Sequence, residues 1–283
     1  ALTNSKTRQK SLALRSAEAG KGTATIRGVR FFAVAPEGDD ALGLLVSGFE
    51  KLNVEQCTFA TPFRTSRDGP PSMCVALKGG TVNLTQCYFA PGSVGIYLDG
   101  SARINATDCA FAPQHTVFRL SRNDEGFESE IKLQHCSTLL SNGAFLELGD
   151  GAACRVTAGH CLFGGPGRFG PFETMPVLLR QRGTRAPTTQ YEVTQPNAYD
   201  NFAAYAEGDT TYTLAECAKE NLPFRDVEKP LRQLWEERDP FALLAGKPAE
   251  PKRAFTPNLK TAALRLTGDP NWEVFGSKFL ASE

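Results

Sequence analysis

The chain has 283 residues, 31 basic and 31 acidic, and so carries no formal net charge. That balance argues against nucleic acid or an anionic membrane as a bulk electrostatic partner, and no apolar run approaches the ~20 residues that a bilayer-spanning helix needs. A hydrophobic share of 41% in a chain this long supplies a large core and excludes wholesale disorder. In chain order, the recognisable segments alternate between two kinds. The strand LALR (12–15) precedes the phrase ATIRGVRF (24–31); LLVS (44–47) precedes LNVEQCTF (52–59); VALK (75–78) precedes VNLTQCYF (82–89). IYLD (96–99) then precedes INATDCAF (104–111), FRLS (118–121) precedes IKLQHCST (131–138), and LELG (146–149) precedes VTAGHCLF (156–163). VLLR (177–180) and a worn phrase, YEVTQPNA (191–198), close the series.

Each phrase is apolar at five and three residues before Cys, then has Cys, then usually Phe two residues later. That pattern predicts two short strands with side chains alternating in and out, joined by a two-residue turn that resets the phase. Cys57, Cys87, Cys109, Cys136 and Cys161 lie 30, 22, 27 and 25 residues apart, and Val29 stands in the same slot of the first phrase. The preceding strands supply a further row of inward anchors: Leu14, Val46, Leu77, Leu98, Leu120, Leu148 and Leu179. Strands this short, with no crossover helix between them, exclude a doubly wound sheet. The Leu/Asn consensus of a leucine-rich horseshoe is absent. Three short strands per repeat predict an all-β, right-handed parallel β-helix, a solenoid of about seven coils. In these repeated phrases the chain resembles the pectin-lyase-like superfamily of right-handed parallel β-helices. The resemblance covers about residues 10–206 and lies in the repeat, not in any enzyme family's signature. The β-helix is assigned to residues 1–206, and a partly helical capping segment to 207–283.

Stacking turns each repeated slot into a row. The five cysteines are expected inside and reduced, because free Cys packs as a small hydrophobe and parallel Cβ vectors do not converge on a disulfide. A Cys109→Ser change is expected to cost on the order of 1–3 kcal/mol, through a buried hydroxyl with no assured partner. Asn53, Asn83 and Asn105 share an outward slot and read as a hydrogen-bonded amide stack. Two of these asparagines open the glycosylation-type tripeptides NLT and NAT. The slot before Cys holds Gln56, Gln86, Asp108, His135 and His160. Asp108, His135 and His160 are the one metal-like set in the sequence, although a turn favours polar residues in any case and stacked ligands seldom converge tetrahedrally.

The strands carrying the Leu anchors are expected to present Ala13, Leu45, Ala76, Tyr97, Arg119, Glu147 and Leu178 outward, with Lys78, Asp99, Ser121 and Gly149 beside them. Tyr97, Asp99, Arg119 and Glu147 thus form a polar cluster with an aromatic platform, which is the candidate ligand-binding site. The plain structural reading of the same residues is an exposed Arg119–Glu147 ion pair of little energetic weight. Gly38-Asp39-Asp40 looks like the Gly-Asp-Asp of polygalacturonases. The other elements of that family's pattern are missing, namely Asn-Thr-Asp, Gly-His-Gly and an Arg before Ile131, so the tripeptide reads as a turn. No outward acidic row suits Ca²⁺, and no nucleophile-elbow motif occurs. No catalytic residue and no cofactor are assigned.

Beyond residue 206 the repeat stops. Thr213-Leu214-Ala215-Glu216 reads as a helix start, and residues 226–244 carry apolar positions near helical spacing, with Pro230 in the first turn. Residues 253–271 resemble the closing strand of secreted β-helix proteins, which inclines the expected location to the cell surface or outside the cytoplasm. Two functions compete: a non-catalytic module that binds or scaffolds a glycan or protein partner as part of a larger chain, and a polysaccharide lyase or glycoside hydrolase.

Overall fold

The computed structural model describes residues 9–223, apart from 19, 34–40, 62–71, 126, 166–175, 196, 201–202, 218 and 221, together with residue 243. Within them lie 21 strands and one four-residue helix, Leu214–Cys217. The chain is all-β, and its strands pair in parallel between successive repeats. The second strand of each repeat builds a seven-stranded sheet from Thr23–Arg27, Lys51–Glu55, Thr81–Thr85, Arg103–Thr107, Ser129–Gln134, Cys154–Gly159 and Gln190–Val193. The anchor strands form a second ladder. It runs from Gln9–Arg15 through Ala41–Ser47, Met73–Lys78 and Gly92–Leu98 into the ends of Ala110–Leu120 and Ser137–Leu148, then to Val177–Gln181 and Ala203–Glu207. A third, shorter ladder carries the Phe slots: Arg30–Phe32, Thr58–Ala60, Tyr88–Phe89, the starts of the two long strands, Leu162–Gly164 and Ala198–Asp200.

Between the second and third strands of six repeats the chain turns at a single left-handed residue. Gln56, Gln86, Asp108, His135 and His160 have φ between 52° and 54°, and Gly28 occupies the same slot at 69°. Side-chain-bearing residues seldom adopt this region, so five copies of it mark one conformation imposed by the repeat. The turn brings Leu52, Val54, Cys57 and Phe59 all to the interior, where each is at most 1% exposed. It thereby performs the phase reset expected from the phrase.

All eight cysteines are buried and free. Those in the row close the turn with weak thiol hydrogen bonds to the carbonyl two residues back: Cys57 Sγ to Glu55 at 3.3 Å, Cys109 Sγ to Thr107 at 3.4 Å, Cys161 Sγ to Gly159 at 3.3 Å. Burial pushes the thiol of Cys109 well up, and that of Cys74, which lies outside the row, up to about 11, so these two thiols are poor nucleophiles. Beside them Phe31, Phe59, Phe89 and Phe111 stack face to face, with centroids 4.8–4.9 Å apart. At Thr138 the row lacks its ring. Phe118 and Phe145, from the anchor ladder, bridge the gap through tilted contacts at 5.2–5.5 Å and pass the stack to Phe163 and Tyr199.

The amide stack also forms. Asn83 Nδ2 donates to Asn53 Oδ1 at 2.8 Å, and Asn105 Nδ2 donates to Asn83 Oδ1 at 2.9 Å. The parallel series ends where Thr210–Tyr212 folds back antiparallel on Ala203–Glu207. The predicted helix start is present: Thr213 and Glu216 form a reciprocal capping box, with Thr213 N–H donating to Glu216 Oε2 at 2.7 Å and Glu216 N–H donating to Thr213 Oγ1 at 3.4 Å. That hydrogen bonding holds the Glu216 carboxyl below its ordinary range. Cys217 and Leu222 then join the interior cluster. Residues 38–40, the predicted strand 253–271 and the predicted helix 226–244 lie outside the described residues, save residue 243.

Candidate functional site

The anchor strands do not alternate simply. In four of these strands two consecutive residues turn inward, Cys74–Val75, Val117–Phe118, Phe145–Leu146 and Leu178–Leu179, and all eight belong to the interior cluster. Each of these four strands therefore bends once before its last outward residue. The bend corrects the expected outward row at one position. Leu178 is core, and the residue in register with Glu147 is Arg180. It also moves the last anchor, because Leu148 pairs with Gln181 while Leu179 pairs with Leu146. An apolar pattern favours Leu in an anchor slot, but Gln181 is accepted there because its amide donates to the carbonyls of Gly149 at 2.7 Å and Thr184 at 3.2 Å.

The outward row is thus Ala13, Leu45, Ala76, Tyr97, Arg119, Glu147, Arg180 and Ala206, each in register with the next. Leu45, Ala76 and Tyr97 belong to a separate apolar cluster with Leu42, Met73 and Val94, which is why Tyr97 is half-buried. The row beside it runs Ser47, Lys78, Asp99, Ser121, Gly149 and Arg182, as the backbone bonds between successive strands require. At Gly149 a Cβ would strike the carbonyl of Ser121, so that slot admits no side chain.

Three of the four predicted binding residues come together and the fourth turns away. Tyr97, Arg119 and Glu147 occupy adjacent strands, about 4.8 Å apart. Arg119 Nε lies 2.7 Å from Glu147 Oε1, and Arg182 Nη2 donates to Glu147 Oε2 at 3.0 Å. Asp99 is engaged elsewhere, with Lys78 Nζ 3.1 Å from its Oδ2 and Arg122 Nε 3.8 Å from its Oδ1. The Arg119–Glu147 pair is not the exposed pair expected from sequence: the Glu147 side chain is 4% exposed and that of Arg119 is 21% exposed. A pair so far removed from water interacts more strongly than a surface pair, and costs more to break.

The residues proposed for a metal do share a row, but not a centre. The rings of His135 and His160 stack with centroids 5.0 Å apart and planes 20° from parallel. Imidazole lone pairs lie in the ring plane, so stacked rings direct them side by side and not toward a common point. Among the described residues no group of three or more His, Cys, Asp and Glu side chains is placed to hold a metal ion. Gln134 Nε2 instead lies 3.3 Å from His160 Nδ1.

Arg180 and Arg182 are the functional candidates that sequence reasoning missed. The signal for Arg180 was present in the double apolar step Leu178–Leu179, which repeats the inward pairs of earlier strands. No protein-family model matches the chain, and neither a curated protein nor a solved structure matches it. Among the described residues no helix is long and apolar enough to cross a membrane.

Proposed function

We propose that the parallel ladders wind as a right-handed β-helix of the pectin-lyase-like kind, and that the chain is a non-catalytic module binding a glycan on the face of Tyr97, Arg119 and Glu147. The handedness follows the strong bias of parallel crossovers to the right hand. The observation that carries the functional reading is the state of the two carboxylates. Both oxygens of Glu147 face arginines, and Asp99 Oδ2 is paired with Lys78 at 3.1 Å. A general acid or base needs an oxygen free to exchange a proton with substrate, and glycoside hydrolysis needs two such groups across one bond. Here the carboxylates order cations. Beside them, a half-buried tyrosine next to fixed donors suits a sugar ring, whose apolar face packs on the aromatic while its hydroxyls bond laterally.

The test sets wild type against Tyr97→Ala and Glu147→Gln on a glycan array and in assays of reducing-end release and unsaturated-product absorbance. The expected result is binding lost in Tyr97→Ala and no turnover in any form. Turnover by the wild type that Glu147→Gln abolishes would make the chain a lyase or hydrolase. Binding untouched by both substitutions would place the site on another face.

A further inference from the structure

Among the described residues, Arg180 is the one guanidinium in the outward row that forms no ion pair. It stands in register with Glu147, directly across from it in the sheet, yet both carboxylate oxygens of Glu147 are already taken, Oε1 by Arg119 at 2.7 Å and Oε2 by Arg182 at 3.0 Å. No carboxylate of a described residue lies within ion-pair distance of Arg180. Among the described residues, three guanidinium groups thus gather around a single carboxylate, a local excess of positive charge on a protein whose total charge is zero. We propose that Arg180, flanked by Arg119 and Arg182, is a binding site for an oxyanion group, a sulfate or phosphate, carried by a ligand or free in solution.

The arrangement suits that role for three reasons. A guanidinium presents a planar fork of donors that matches two oxygens of a tetrahedral anion, which an ammonium does not. Glu147 fixes the side chains of Arg119 and Arg182, so an arriving anion meets groups already oriented and little rotamer entropy is lost on binding. The site is open at its rim, because the Arg182 side chain is 61% exposed while Glu147 at its base is 4% exposed. Burial lowers the pKa of Arg180 from its ordinary value, partly opposed by Glu147, and the like charges of Arg182 and Arg119 add to the lowering. A bound anion would offset the repulsion from Arg182 and Arg119. The same face is read above as a sugar site, and the oxyanion site neither needs that reading nor falls with it.

The experiment measures binding of inorganic sulfate, inorganic phosphate, glucose, glucose 6-sulfate and glucose 6-phosphate by calorimetry at constant ionic strength. The proteins are wild type, Arg180→Gln and Arg182→Gln, with melting temperature recorded for each in chloride. Loss of one charge-assisted fork should weaken sulfate and phosphate binding about tenfold or more in Arg180→Gln. Arg182→Gln should weaken it too, since the freed Glu147 oxygen then becomes available to Arg180. If Arg180→Gln melts early in chloride, Arg180→Lys serves in its place; it keeps the charge, loses the fork and should bind more weakly than wild type. Tighter binding of the sugar esters than of the inorganic ions assigns the anion to an acidic sugar, and the reverse order assigns it to a free oxyanion; either supports the site. Equal affinity in wild type and Arg180→Gln, or no anion binding by wild type, overturns it. Binding of glucose without preference for its esters also overturns it, while leaving the glycan reading intact.

Discussion

The inward row at Cys and the outward row at Tyr97 run through the same repeats, in register, yet they use opposite vocabularies. Inside, the slot is Cys five times running and its neighbour is Phe or Tyr in all but one repeat. Outside, the same number of repeats reads Ala76, Tyr97, Arg119, Glu147 and Arg180, with no residue type held from one strand to the next. The interior repeats because every repeat faces one packing problem: a fixed strand spacing, a left-handed turn and a carbonyl that needs a small donor. The outer face is under no such demand, so what stands there reflects local chemistry. Where a repeat protein stops repeating on its surface, the departure is the part to examine for binding.

The comparison breaks most sharply at the aromatic stack. Phe89 is fully buried between Phe59 and Phe111, so Phe89→Ala should cost about 3–5 kcal/mol in urea denaturation. A loss below about 1 kcal/mol would mean that the row is not the core of the ladder. The outer row should come second. Glu147→Ala strands two arginines, and a loss of about 2–3 kcal/mol is expected, less than for a fully buried pair because both arginines reach solvent. Melting at two salt concentrations checks this, since a surface pair would lose most of its effect on screening whereas this one should keep it.

The cysteine row sharpens the contrast at lower cost. Cys109→Ser should destabilise by only about 1 kcal/mol, at the bottom of the range expected from sequence, because the Thr107 carbonyl at 3.4 Å is there to accept from a hydroxyl. Cys109→Val, which has no donor, should cost more than the serine in the same thermal assay. The turn residue comes last. Gln86→Gly relieves a left-handed φ of 54° but gives up the hydrogen bond from Gln56 and frees the unfolded chain, so the net change should stay within about 0.5 kcal/mol. A large gain there would show the turn to be a reservoir of strain.

The repeated residues were legible because each obeys a rule of period and size. The phrase ending in Phe59 shows its turn, its inward pairs and its cysteine in eight letters, and Asn53, Asn83 and Asn105 show their amide stack by spacing alone. Reading failed at residues 177–181, where hydrophobicity favoured Leu179 as the anchor. The true anchor, Gln181, is a buried amide made tolerable by two carbonyls that only the folded turn supplies.

By itself, then, the sequence determined the all-β class, the parallel register of the repeats through residue 148, the inward cysteines, and the neighbourhood of Tyr97, Arg119 and Glu147. Those follow from side-chain alternation and strand spacing, which are local properties summed over repeats. Only the tertiary structure decided that Glu147 is buried, that Asp99 turns to Lys78 and Arg122, that His135 and His160 stack, and that Arg180 stands opposite a carboxylate already taken. Each of these depends on which side chains reach a shared space first. A carboxylate has two oxygens, and which of three arginines they engage is settled by the bend of one strand and the side-chain-free slot at Gly149, not by any residue's own preference.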